Sequence, residues 1–171
     1  MAIEVSEYLV ETMDDRGVED ARHVDMFDLR ETLERDRFQS VLANGTQLGL
    51  VRSMQGLRRF FNDLAYVTGP DATAVLDCYD PTLERTKNTM EYREDPTPGL
   101  AYRVMHFEYE GDVGKTLLFR LFSSDRIREA TVGTGWNVEE IWRVPADDPC
   151  QLEIALTKNE TECYIPRRLS S

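Results

Sequence analysis

The sequence predicts an α/β fold built on a mostly parallel sheet, and three observations predict it. Short apolar runs at residues 2–5, 18–24, 38–43 and 74–76 alternate with helical stretches, the order that buries a parallel sheet between helices. Leu57, Phe60, Phe61, Leu64 and Val67 recur at helical spacing, which marks the most strongly amphipathic helix of the chain. Further on, residues 100–109 and 115–122 flank Glu110-Gly111-Asp112-Val113-Gly114, the pattern of an antiparallel hairpin added to such a sheet.

In order, residues 2–5 read as the end of a buried strand. Ser6 then caps a helix with Leu9, Val10 and Met13 on one face, which stops at Gly17. A second short strand covers residues 18–24. Asp25 follows, then a polar stretch in which Leu29 and Leu33 suit a helical turn. The third strand is Phe38–Ala43, and the helix after it runs from the cap Ser53 to the breaker Gly69-Pro70. Residues 74–76 form a strand that ends in Asp77-Cys78-Tyr79-Asp80-Pro81. After the hairpin, residues 124–132 are helical up to Gly133 and Gly135. Strands at 136–144 and 151–157, joined through Pro145-Ala146-Asp147-Asp148-Pro149, close the fold, and the tail from 159 to 171 is loose. The expectation is one domain over 1–171 with an inserted hairpin at about 100–122.

Composition removes several function classes. With 32 acidic against 20 basic residues, a net charge of −12 and a pI near 4.6, the surface repels nucleic acid and anionic membranes. Lysine occurs only at Lys87, Lys115 and Lys158, a bias compatible with a halophilic or high-GC source. Cys78, Cys150 and Cys163 lack CxxC spacing and are odd in number, so neither a disulfide framework nor a zinc site is expected and a cytoplasmic setting fits. No run reaches membrane-span length and the first residues lack signal-peptide character. The sequons at Asn44 and Asn159 are then chance matches.

Only His23 and His106 are present, so no metal site is predicted. A GxSxG elbow is absent. Gly111-Asp112-Val113-Gly114-Lys115-Thr116 is two residues short of a phosphate loop and precedes a strand, so it reads as a hairpin turn. Gly133-Thr134-Gly135 lacks a preceding strand and reads as a helix stop.

Six phrases in this order carry a resemblance: Ala2-Ile3-Glu4-Val5-Ser6; Arg22-His23-Val24-Asp25-Met26; Phe38 to Gly45; the helix from Leu57 to Pro70; Ala74 to Pro81; and Ser124 to Trp136 with its Gly133-Thr134-Gly135-Trp136 ending. Together they resemble the class I, Rossmann-like methyltransferases that use S-adenosylmethionine, particularly those acting on small molecules, over residues 2 to about 157. The resemblance implies a Rossmann-like, mostly parallel sheet with an antiparallel C-terminal strand and an added β-hairpin. In open parallel sheets ligands gather beyond the carboxyl ends of the strands.

By that resemblance Glu4 grips the cofactor's ribose hydroxyls, its other reading being a surface acid near a helix start stabilised by the helix dipole, and Val5 packs on the adenine. Asp25 accepts from the adenine amino group or caps a turn, with Met26 beside the ring. Asn44 and Gly45 receive the methionine end, or the glycine only serves turn geometry. Asp77, Tyr79 and Asp80 face the acceptor or are loop solvation. No catalytic residue is named, because methyl transfer depends on alignment and exclusion of water. The hairpin covers the acceptor pocket or forms a homodimer contact.

One departure qualifies the match. In the family, a first strand and a glycine-rich turn precede the ribose acid by roughly 20 residues, whereas three residues precede Glu4 here. The sequence therefore carries the expectation that the first strand is missing, from a truncated remnant or a misassigned start. That strand belongs between residues 2–5 and 38–43. The competing expectations are a non-catalytic remnant or binding protein without cofactor, and a nicotinamide-dependent oxidoreductase, whose ribose an acid after the second strand also suits.

Overall fold

A computed structural model describes residues 1–88, 91–143 and 150–158. The elements are β1 (Ala2–Glu4), α1 (Glu7–Asp15), β2 (Ala21–His23), α2 (Leu29–Thr32), β3 (Phe38–Ala43), a 3₁₀ segment (Gln47–Val51), α3 (Met54–Val67) and β4 (Thr68–Tyr79). They continue with α4 (Glu84–Lys87), β5 (Tyr92–Glu94), β6 (Leu100–Met105), β7 (Glu108–Tyr109), β8 (Asp112–Val113), β9 (Leu117–Phe122), α5 (Ser124–Thr131), β10 (Trp136–Arg143) and β11 (Gln151–Lys158). The expected proline-flanked loop at 145–149, the tail from 159 and Cys163 lie outside the described residues.

The main sheet has the order β10-β11-β4-β3. β3 runs parallel to β4, while β11 is antiparallel to both β4 and β10. Four strands of which only β11 is reversed match the expected sheet with its antiparallel C-terminal strand. A second, two-stranded sheet holds β1 and β2 in parallel. Among the described residues no ladder joins β1 to β3, so the Rossmann-like sheet is interrupted between them.

α3 supplies the core, as its spacing predicts. Leu57, Phe60, Phe61, Leu64 and Val67 are all buried, against Leu76, Leu152, Ile154 and Leu156 of the sheet. Ser53 caps it through Oγ, which accepts the Gly56 amide at 2.9 Å. Trp136 Nε1 donates to the Phe61 carbonyl at 3.0 Å, tying β10 to α3. Gly69-Pro70 ends α3 as expected, yet β4 starts at once and is far longer than the apolar run at 74–76. The register shift between Phe38 and Ser40 explains this, because the bulge lets the stretch around Pro70, which has no amide proton, sit in the strand.

The first strand and helix depart from expectation. β1 is half-buried, not buried, and no residue of α1 is buried. Val5, Tyr8 and Leu9 are exposed, as is Leu42 on β3. The physical reason is the interruption itself: among the described residues one edge of β1 and one edge of β3 have no strand beside them, so the apolar side chains there are left exposed. Ser6 occupies the N-cap position of α1 without a side-chain cap bond.

The hairpin is present, with β6 and β9 antiparallel from Leu100 opposite Phe122 to Met105 opposite Leu117. β7 and β8 form a small ribbon at its tip around Glu110 (φ 50°) and Gly111 (φ 89°). Two successive left-handed residues are what a two-residue hairpin turn requires. β5, which sequence reading missed, joins β6 as a third strand.

Candidate functional site

The parallel strands end side by side in two groups. Glu4 pairs in register with His23, and the Val24 amide donates to the Glu4 carbonyl at 3.0 Å, so the residues after β1 and β2 are neighbours. Ala43 pairs with Leu76, which puts Asn44 and Gly45 beside the Asp77 end of β4.

In the first group, Glu4 Oε1 accepts the amides of Val5 and Ser6 at 2.9 and 3.0 Å. Glu4 therefore satisfies the two backbone donors just ahead of α1. Its Oε2 has no hydrogen bond among the described residues. His23 Nε2 lies 2.9 Å from the Val5 carbonyl; a carbonyl only accepts, so Nε2 carries the proton in this contact. Asp25 Oδ1 accepts the Phe27 amide at 2.9 Å, the side-chain-to-backbone turn typical of aspartate. Met26 packs against the hydrophobic core, while Val5 is 63% exposed.

The second group is built around Asp77, which is 2% exposed. Gly45 (φ 88°) and Thr46 (φ 63°) both take the left-handed conformation. Successive residues in such turns can aim their amides at one anion. Here the anion is internal. Asp77 Oδ2 accepts the Gly45 amide at 3.1 Å and Oδ1 accepts the Thr46 amide at 2.7 Å. The Gln151 side-chain amide of β11 also donates to Asp77 Oδ2. Both oxygens of Asp77 are thus engaged inside the protein, and the residue fastens the turn after β3 to the sheet. No spacing in the sequence signals this, since its partners lie 31 and 32 positions away. Asn44 Oδ1 accepts the Gly45 amide at 2.9 Å.

Asp80 is engaged likewise. Oδ1 accepts from the Thr82 amide and hydroxyl at 2.9 and 2.6 Å, and Oδ2 from Arg143 Nη2 at 3.2 Å. Between the two acids, Tyr79 lies beneath the guanidinium of Arg103, 5.5 Å from its ring centroid. Cys78 is fully buried, its Sγ 3.6 Å from the Phe122 carbonyl; burial, reinforced by Asp77 and Asp80, pushes its thiol far up, so it is no nucleophile.

A cleft of about 390 Å³ lies between Phe27, Leu50, Arg52 and the Gly56, Arg59 and Phe60 side of α3. None of the residues assigned from the sequence lines it. Among the described residues no group of three or more His, Cys, Asp or Glu side chains is placed to hold a metal ion, and no helix is long and apolar enough to cross a membrane.

No family model and no curated protein matches the sequence. Solved structures do match the fold. A SAM-dependent methyltransferase from Bacteroides fragilis, crystallised with S-adenosyl-L-homocysteine, superposes with a TM-score of 0.69 at 20% identity, over 93% of this chain and 62% of that one. A sugar N-methyltransferase from a Streptoalloteichus species gives 0.63 at 14% identity, over 92% and 70%. The 1,6-didemethyltoxoflavin-N1-methyltransferase of Burkholderia thailandensis, with bound 1,6-didemethyltoxoflavin and S-adenosylhomocysteine, gives 0.58 at 14% identity, over 93% and 60%. This chain spans less than two thirds of the first and third of these proteins. Its fold is the Rossmann-like fold of the class I methyltransferases.

Proposed function

We propose that this chain forms the cofactor-holding and acceptor-facing part of an S-adenosylmethionine-dependent methyltransferase acting on a small molecule. The observation that carries the reading is that both pairs of parallel strands in this fold end in polar groups, Glu4 and Asp25 after β1 and β2 and the Asn44-Gly45 turn after β3. Ligands collect at such ends.

The donor set suits the adenosyl half of the cofactor. Ribose hydroxyls and the adenine amino group donate hydrogen bonds, and Glu4 Oε2 and Asp25 Oδ2 are carboxylate oxygens with no partner among the described residues. Val5 is exposed for contact with the adenine. Met26 packs into the core, which makes its expected place beside the ring the weaker assignment. Asn44 and Gly45 would border the methionine end, held by Asp77 in a fixed turn. When bound, the cofactor supplies an electrophilic methyl group for in-line displacement. The chain's part is to hold donor and acceptor in line and keep water out.

Our reading also has a further parallel strand, ending in a glycine-rich turn, between the unpaired edges of β1 and β3. The exposed Val5, Tyr8, Leu9 and Leu42 beside that interruption would then be covered. Sequencing the DNA upstream of Met1 tests whether the same frame encodes it; a stop codon directly ahead of Met1 removes that version.

Isothermal titration of the chain with S-adenosylhomocysteine tests the function. Binding that Glu4→Ala weakens at least tenfold is the expected result. Absence of heat at high ligand concentration would overturn the cofactor assignment for the chain as given.

A further inference from the structure

Arg103 is the cation of the hairpin sheet that has no ion pair among the described residues. It stands opposite Phe119 across the β6–β9 ladder and opposite Tyr92 across β5–β6, and residues directly opposite share a face. That face is turned toward the site. Phe119 presses on Gly49 of the 3₁₀ segment, where an added Cβ would sit 3.0 Å from Phe119 Cδ1, and Arg103 itself lies over Tyr79 at the end of β4.

The other sheet arginine shows how this fold treats a buried guanidinium. Arg120, on the opposite face, stacks 3.9 Å from the Tyr102 ring centroid and has Nη1 2.8 Å from Asp95 Oδ2. After the Thr97 amide, Arg120 also lowers the Asp95 pKa, so the charge is matched. Arg103 has no ion pair among the described residues, and its Nε is buried without a hydrogen-bond partner. The two acids that flank Tyr79 in sequence are already engaged: Asp77 by Gly45, Thr46 and Gln151, and Asp80 by Thr82 and Arg143. In a chain with a net charge of −12, a half-buried arginine with no carboxylate partner among the described residues is the exception. Buried guanidinium donors are ordinarily satisfied, and their geometry suits carboxylate or phosphate oxygens.

We propose that Arg103, oriented by the Tyr79 ring, binds an oxyanion, a carboxylate or phosphate group carried by the molecule that enters this site. Calling that molecule the methyl acceptor rests on the function proposed above; the anion subsite itself does not. Arginine is the residue suited to this, because its planar fork can stack on the ring and present two donors to one anionic group.

The test uses the full chain and two probes, sodium benzoate and inorganic phosphate, titrated by calorimetry against the parent, Arg103→Met and Arg103→Lys. At least one probe should bind saturably, with affinity falling tenfold or more in Arg103→Met and less in Arg103→Lys. Which probe binds identifies the group. Thermal melting without probe supplies a second readout: Arg103→Met, which removes an unmatched charge but keeps the stem, should melt no lower than the parent. Equal binding by the methionine variant, no saturation with either probe, or a methionine variant melting several degrees lower would each overturn the assignment. S-adenosylhomocysteine is absent from these titrations, so their failure is separate from failure of the cofactor reading.

Discussion

Asp77 Oδ1 accepts the Thr46 amide at 2.7 Å while its Oδ2 takes the Gly45 amide at 3.1 Å. One buried carboxylate at the end of β4 thereby fixes the left-handed turn at the end of β3. Two adjacent backbone donors are matched by a single anion. Charge-assisted bonds of this kind are the stronger class.

Asp77→Asn should loosen that turn. A carboxamide offers one acceptor and one donor group, so one of the two amides, or Gln151, would face a donor. A loss of about 1–3 kcal/mol in urea unfolding is expected. A variant as stable as the parent would mean that the turn holds without the clamp.

Gly56→Ala should reverse the usual helix rule. In an exposed helix interior this change gains about 1 kcal/mol. Here the added Cβ would lie 2.2 Å from the Val51 carbonyl oxygen, and backbone cannot swing away as a side-chain tip can. The expected result is destabilisation of about 1–3 kcal/mol, seen as a lower melting temperature by circular dichroism.

Lys158 closes α3 from a distant strand. Its Nζ donates to the Ala65 carbonyl at 2.6 Å and to the Thr68 carbonyl, where the helix end favours a cation. Burial, the dominant effect, lowers its pKa despite Asp36, so the charge is held at some cost. Lys158→Met keeps the stem and removes the donors; a net loss of about 1 kcal/mol is expected. Hydrogen exchange should show the last turn of α3 opening more readily than the rest.

The Asp95 and Arg120 pair predicts behaviour in acid. The Thr97 amide, donating to Asp95 at 2.7 Å, and then Arg120 hold the Asp95 carboxyl below its ordinary value. A depressed folded-state pKa contributes stability that is present above the unfolded value, about 4 for aspartate, and is lost as pH falls through the folded value. Asp95→Asn should therefore flatten the decline of stability below about pH 4. Denaturation curves collected from pH 5 down to the acid transition would show it; parallel slopes for parent and variant would contradict it.

What local sequence could determine is what neighbouring residues decide between themselves. The spacing of Leu57, Phe60, Phe61, Leu64 and Val67 dictates a helix with one buried face wherever it sits, and Ser53 caps it through a bond three residues long. Glu110 and Gly111 likewise turn the hairpin by their own backbone preference. Glu4 and Asp25 could be assigned to strand ends for the same reason.

Tertiary structure alone decided the rest, because the deciding partners are far apart in the chain. Asp77 fastens the turn after β3 through amides 31 and 32 residues away. β1 and α1 stayed open because pairing stops at the β1 and β3 edges, which no periodicity in residues 2–15 encodes. Arg120 and Arg103, each within a strand of the hairpin, were separated by the pleat: alternation put Arg120 beside Asp95 and Tyr102 and left Arg103 above Tyr79 with no counter-charge among the described residues.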